Sequence, residues 1–340
     1  MWLTRVTAFA ALCNLLIDYL AHPFPALAST TGRVAVATLV TLLITAVNIR
    51  GVRMAAIVAN VFTVGKLVPL LLFVAVGLFF VEPARYVPTS TPSTGDFSTA
   101  VLLLVFAFTG FETATVPAGE VRDPRRTLPF AILVAMAVVV PLYLLIQFVS
   151  IGTLPELATS TTPLADAAGR FAGNFGAGVI VFGAVVSITG TLNGLVLAAP
   201  RILYAMAEQR QLPAVFARTH ARYRTPHWAI VLTAACMLAL TLSGSFLTAV
   251  ALSTITRLLA YAATCIAVPV LRRREGAGLA PAMFTVPGGP WVAATALLVI
   301  AWLVLHAKPQ ELRDVAIAMA VGAVLMLLAT RFGRKVAPHA

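Results

Sequence analysis

STAVLLLVFAFTGFETATVPAGEVRDPRRTLPFAI, residues 98–132, starts as an apolar run and then interrupts itself. Gly110 stands beside Thr109 in the middle of the run, and Glu112 follows two residues later. An acid inside a lipid-buried helix costs about 2.5–3.5 kcal/mol even on the lenient insertion scale. A glycine in a helix interior costs about 1 kcal/mol against alanine. A run that carries both reads as a helix broken at this point. At a break, backbone carbonyls lose their helical partners and can face a ligand. Such irregular backbone survives in a bilayer only when buried in protein or lining a cavity. The alternative is a glycine at a tight helix contact and a glutamate paired to another span. Next comes GEVRDPRRTLPFAI (119–132), a polar turn rich in residues that cap or break helices.

The flanking sequence is a series of apolar blocks. Sixty per cent of the 340 residues are hydrophobic and 11% are charged, a surface that a soluble domain could not keep in water. Blocks of about 20 residues match a hydrocarbon core of roughly 30 Å. Ten candidate spans cover roughly residues 3–26, 33–49, 53–81, 97–119, 128–153, 171–205, 227–244, 247–271, 290–307 and 313–331. The third and sixth exceed the bilayer thickness, which predicts tilt or an emergent end. The alternating ten-residue segments of a barrel are absent. The expected class is therefore all-α, a polytopic helical bundle forming one membrane domain over residues 1–340. The first block could pass for a signal peptide, but Asn14 and Asp18 interrupt it and no small-x-small cleavage site follows promptly. It is read as a span.

The net charge of +12 has a topological explanation. With the N-terminus inside and the spans alternating, 17 of the 24 Lys and Arg residues fall on the inner side, Arg5 and Arg50 among them. Arg33, Arg85, Arg170, Lys308 and Arg313 fall outside, and Lys66 and Arg257 lie within the membrane. This is the positive-inside bias. It places both termini in the cytoplasm and accounts for the charge without a nucleic-acid partner. The loops at 82–97 and 153–170 lie outside on this scheme, and the basic loop at 207–228 lies inside, where it can meet anionic lipid headgroups.

Lys66 sits roughly 20 Å from either end of its block, beyond the reach of its own stem. A lysine there either finds carbonyl or hydroxyl partners or gives up its proton, so it is a candidate proton carrier or a fixed cation bracing two helices. Asp18, one turn before Pro23, reads as an interfacial acid. Arg257 in LSTITRLLAYAATC is deep enough to face an outer vestibule or pair with an acid. Ser187, Thr191 and Asn193 offer polar groups at membrane depth, either lining a pocket or joining helices. Cys13, Cys236 and Cys265 lie in apolar blocks without disulfide or zinc spacing and read as core residues. The five histidines are scattered, with no metal-ligand spacing. HExxH, GxSxG, Walker A and GxGxxG are all missing, so neither an enzyme nor a cofactor is expected.

Four stretches resemble the amino acid–polyamine–organocation (APC) superfamily of permeases. FTGFETATVPAGEVRDPRRTLP (108–129) is similar to the family's most specific segment, in its sixth helix. APRILYAMAEQRQLP (199–213) is similar to the end of the eighth helix, with Pro200 where a small residue is commoner. LAYAATCIAVPVLRRR (259–274) and NIRGVRMAAIVANVFTVGKLVPL (48–70) are similar to the tenth helix and to the fourth-to-fifth-helix region.

The resemblance implies an inverted-repeat, LeuT-like transporter fold. Residues 1–81 would be the remainder of the first repeat, 97–271 the second repeat, and 290–331 two peripheral helices. It implies that the backbone at Phe106, Ala107, Phe108, Thr109 and Gly110 holds a substrate ammonium, with Phe106 as an aromatic gate. Glu112 would relay a proton or steady the break. Lys66 matches a lysine that stands, in proton-coupled members, where sodium sits in sodium-coupled relatives. The implied function is a plasma-membrane permease for amino acids, coupled to protons. By motif order the first span matches the family's third helix, and no Gly-rich first-helix break occurs in residues 1–30. The substrate carboxylate normally meets that break. Residues 1–340 alone are thus expected to bind amino acids poorly and not to transport them, and a truncated, non-transporting module or partner subunit is the alternative.

Overall fold

The computed structural model describes residues 1–50, 55–87, 91–112, 121, 123–244, 246–273 and 284–333. Among them lie ten α-helices and no strand: α1 (Trp2–Ala21), α2 (Thr30–Arg50), α3 (Ala55–Gly77), α4 (Thr94–Ala107), α5 (Pro124–Thr153), α6 (Pro163–Glu208), α7 (His227–Ser243), α8 (Phe246–Arg273), α9 (Gly289–Leu305) and α10 (Pro309–Gly333). Each overlaps one of the ten predicted blocks. By length and composition alone, α1, α2, α5, α6 and α8 suffice to cross a membrane, and α9 with α10, bent by 106°, makes a sixth if the pair is one span.

Helix ends follow local chemistry. α1 stops just before Pro23 and Pro25, which lack the N–H a helix needs. The Ser29 hydroxyl accepts the Gly32 N–H at 3.1 Å, and Ser93 accepts the Asp96 N–H at 3.1 Å, capping the starts of α2 and α4. α5 and α6 open on Pro124 and Pro163, where a missing N–H costs nothing. Two boundaries differ from expectation. Part of the loop predicted over 153–170 is helical, because α6 starts at Pro163 and turns at Gly173 (φ 61°, ψ −161°) before its long segment. That backbone is open to glycine and almost closed to other residues, so a loop-like composition conceals a short helix. The block predicted over 97–119 is helical only to Ala107, while residues 113–120 lie outside the described residues.

α1 is the centre of the bundle and packs on α8, α6, α7 and α2. Of the five long apolar helices it is the least hydropathic and the most buried, whereas α5 is the most apolar and the least buried. Polar groups are thus turned inward and apolar faces outward, as a bilayer demands. Side-chain hydrogen bonds knit the centre. Trp2 Nε1 donates to Thr233 Oγ1 at 3.1 Å, Asn14 Nδ2 to the Thr241 carbonyl at 3.3 Å, and Asn48 Nδ2 to Asn193 Oδ1 at 2.9 Å. α3 lies close on α6, where a Cβ at Gly183 would stand 2.6 Å from Pro69 Cγ.

Loop contacts sort the helix ends onto two faces. His22, past the end of α1, meets Asp166 at the start of α6 at 3.2 Å. The Glu82 N–H donates to the Gly152 carbonyl at 2.9 Å and the Tyr86 hydroxyl to the Phe148 carbonyl at 2.6 Å, joining the loop after α3 to the end of α5. At the other face, the Thr225 hydroxyl donates to the Ile49 carbonyl at 2.7 Å, joining the α6–α7 loop to the end of α2.

Candidate functional site

α4 leaves α-helical pairing where the glycine predicts it. The Phe108 and Thr109 N–H groups donate to the Val105 and Phe106 carbonyls, both at 3.1 Å and both three residues back rather than four. Gly110 then takes φ 111°, and among the described residues nothing lies within 4 Å of where its Cβ would be. The dihedral angle by itself calls for glycine at this position. The Phe106 carbonyl also accepts the Thr109 hydroxyl at 2.7 Å, which occupies one of the oxygens expected to face a ligand. The Phe106 ring packs into the seam between α1 and α8, against Ala10, Ala11, Ala249 and Val250. An apolar groove of about 310 Å³ runs beside the break, with Leu104, Phe108, Phe111 and Tyr261 among its walls.

Glu112 folds back over the break. One carboxylate oxygen accepts the Gly110 N–H at 2.8 Å and the Tyr261 hydroxyl at 3.0 Å. The other meets Arg257 Nη1 at 2.6 Å. The break and the pairing to another span, posed as alternatives from sequence, are therefore present together. Arg257 and Tyr261 are four residues apart on α8 and share a helix face, which is why both reach one carboxylate. That spacing was legible in LSTITRLLAYAATC, but nothing in the sequence named Glu112 as the acid they reach.

Arg5, counted on the inner side, is covered by the bundle. Expected at the inner surface, it is 7% exposed and lies within electrostatic reach of Glu112 and Arg257. The counting rule assumes that a basic residue near the end of a block reaches water. Here α8 covers the start of α1: the Ser253 hydroxyl donates to the Thr4 carbonyl at 3.1 Å.

The remaining candidates lie elsewhere. Asp18 pairs with Arg33 at 2.6 Å, and Arg33 also donates to Asn14 Oδ1 at 3.1 Å, so the interfacial acid has a partner on α2. On α6, the Thr191 hydroxyl donates back to the Ser187 carbonyl at 3.0 Å and Asn193 is held by Asn48. No hydrogen bond joins these three to the break among the described residues. Lys66 is half-buried on α3, next to Gly65, where an added Cβ would stand 3.3 Å from Val186 of α6. Among the described residues it has neither an ion pair nor a hydrogen bond.

Comparison with known proteins gives one family. The family model described as "Amino acid permease" matches residues 1–328. A methylthioribose transporter of Bacillus subtilis (strain 168) is 28% identical over 299 residues, covering 87% of this chain and 64% of that protein. The serine/threonine exchanger SteT of the same organism is 34% identical over 195 residues, 54% of this chain and 43% of its own length. Its branched-chain amino acid permease BcaP is 25% identical over 286 residues, 83% and 60% of the two chains. The chain thus spans 43–64% of the length of these three relatives.

Proposed function

The chain belongs to the amino acid permease family and is an integral membrane protein, and from this premise we propose that it forms the bundle of a secondary transporter for amino acids in the plasma membrane. Transport is coupled to protons and proceeds by alternating access between two inverted repeats, with both termini cytoplasmic. The observation that carries this reading is the departure of α4 from helical pairing at Phe108–Gly110, where Glu112, Arg257 and Tyr261 converge on one point. A substrate ammonium meets the backbone of Phe106–Gly110, and the flanking groove takes the side chain. Glu112 has one oxygen on Arg257 and the other on Gly110 and Tyr261. That geometry favours steadying the break over relaying a proton. Lys66 remains the proton carrier of this reading. Ser187 and Thr191 line the path, and Asn193 acts through its bond to Asn48.

Uptake of labelled leucine by proteoliposomes holding the protein is the test. Accumulation driven by an imposed inward proton gradient, and abolished when the gradient is collapsed, would carry this reading and overturn the expectation that residues 1–340 alone do not transport. Absence of flux under any gradient would support the other reading, a non-transporting membrane module or partner subunit. In an active protein, Lys66→Ala should flatten the pH dependence of uptake. An unchanged pH profile removes Lys66 from coupling.

A further inference from the structure

We propose that the cavity between the end of α1 and the start of α2 binds the headgroup of a phospholipid that carries a primary ammonium, with the phosphate on Arg33 and the ammonium on Asp18. The cavity measures about 480 Å³ and is bounded also by the end of α7 and the start of α8. It shares no wall with the groove beside the α4 break, so its occupant is independent of the transport reading. Charge selects the head. Arg33 Nη1 donates to Asp18 Oδ1 at 2.6 Å and Nη2 to Asn14 Oδ1 at 3.1 Å. Asn14 is buried and donates to the Ala10 and Thr241 carbonyls, which fixes the guanidinium in orientation. A guanidinium has five N–H donors, and these bonds leave the others for a ligand. Asp18 Oδ2 has no hydrogen bond among the described residues. Both charged side chains are half-buried and line the cavity, so one wall presents a cation and an anion side by side. The matching zwitterion is a phosphate ester joined to a primary ammonium by a short ethylene link. Its phosphate meets the free guanidinium donors, and its ammonium donates to the carboxylate. A trimethylammonium has no N–H to give, and a glycerol headgroup brings no positive charge to Asp18.

Depth and surroundings select a lipid over a free solute. Asp18 and Arg33 each stand three residues inside the end of a helix long and apolar enough to span a membrane. By helical rise that is about 5 Å, the level at which headgroups meet hydrocarbon. The remaining walls are largely apolar. Ile17 and Ala37 are buried, whereas Val34, Leu242 and Leu247 are exposed. An exposed apolar rim next to an ion pair suits the glycerol esters and first methylenes of a lipid, and it is a poor mouth for a solute arriving from water.

Thermal unfolding of the purified chain in a non-ionic detergent, titrated with dihexanoyl phosphatidylethanolamine, phosphatidylcholine or phosphatidylglycerol, tests this. The ethanolamine lipid should raise the unfolding temperature in a saturable way, with an apparent affinity roughly tenfold above that of the other two. Asp18→Asn should erase that preference. Arg33→Gln should weaken binding of the ethanolamine lipid roughly tenfold, and Arg33→Lys should recover part of it. Leu247→Trp, which crowds the rim and leaves both charges in place, should weaken it as well. An equal response to the three lipids, or no response to the ethanolamine lipid, overturns the site whether or not the variants fold. An ethanolamine preference that survives in Asp18→Asn overturns it too. Phosphoethanolamine or leucine binding through Asp18 and Arg33 as tightly as the lipid makes this a site for a free zwitterion and overturns the lipid assignment.

Discussion

Arg257–Glu112 and Arg33–Asp18 are ion pairs of one length, 2.6 Å, in two settings. The side chains of the first pair are 5% and 18% exposed, those of the second 35% and 25%. The outer pair can exchange its partner for water when broken, so it ties α1 to α2 weakly. The inner pair cannot, so each member depends on the other. The inner pair also fastens the end of α4 to α8 at the point where α4 has surrendered its own helical bonds. Equal distances thus conceal unequal energies, and burial decides between them.

Stability measurements on single variants can break this contrast. Arg257→Gln, which takes the guanidinium from the half-buried Glu112, should cost about 3 kcal/mol, read from denaturant unfolding in detergent. Tyr261→Phe removes one donor to the same carboxylate and should cost about 1.5–3 kcal/mol. Gly110→Ala meets no atoms among the described residues, and its unfavourable backbone angle should cost about 1–3 kcal/mol. Asp18→Asn should cost no more than about 1 kcal/mol. A double-mutant cycle sharpens the comparison: coupling should be large for Arg257 with Glu112, and small and salt-sensitive for Arg33 with Asp18. Similar couplings for the two pairs would mean that depth is not the deciding variable.

The helices were largely legible because lipid imposes one rule along the whole chain. Length and hydropathy placed ten blocks, and each overlaps a helix among the described residues. The break was legible because Gly110 and Glu112 are both costly in a span, and costly residues announce themselves. What remained hidden depends on which helix packs on which. Arg257 had no stated partner, because Glu112 is 145 residues away in sequence. Arg5 was counted on the inner side by its place in the chain, which says nothing of α8 lying over it. Asn193 read either as lining a pocket or as joining helices, and its sequence did not name Asn48 of α2 as the residue it joins. Gly173 hid a turn within what reads as loop and helix, because its effect lies in a dihedral angle and not in polarity.

The position of α1 has a consequence for how the protein is made. This helix is synthesised before the helices that shelter it, yet it is the least apolar of the five long apolar helices and carries Thr4, Arg5, Thr7 and Asn14 on buried faces. Its shelter comes from α6, α7 and α8, which are synthesised some 160 to 270 residues later. Until then lipid is a poor host for it. The nascent helix has to wait at the membrane entry machinery, or beside a chaperone, until its covering partners arrive.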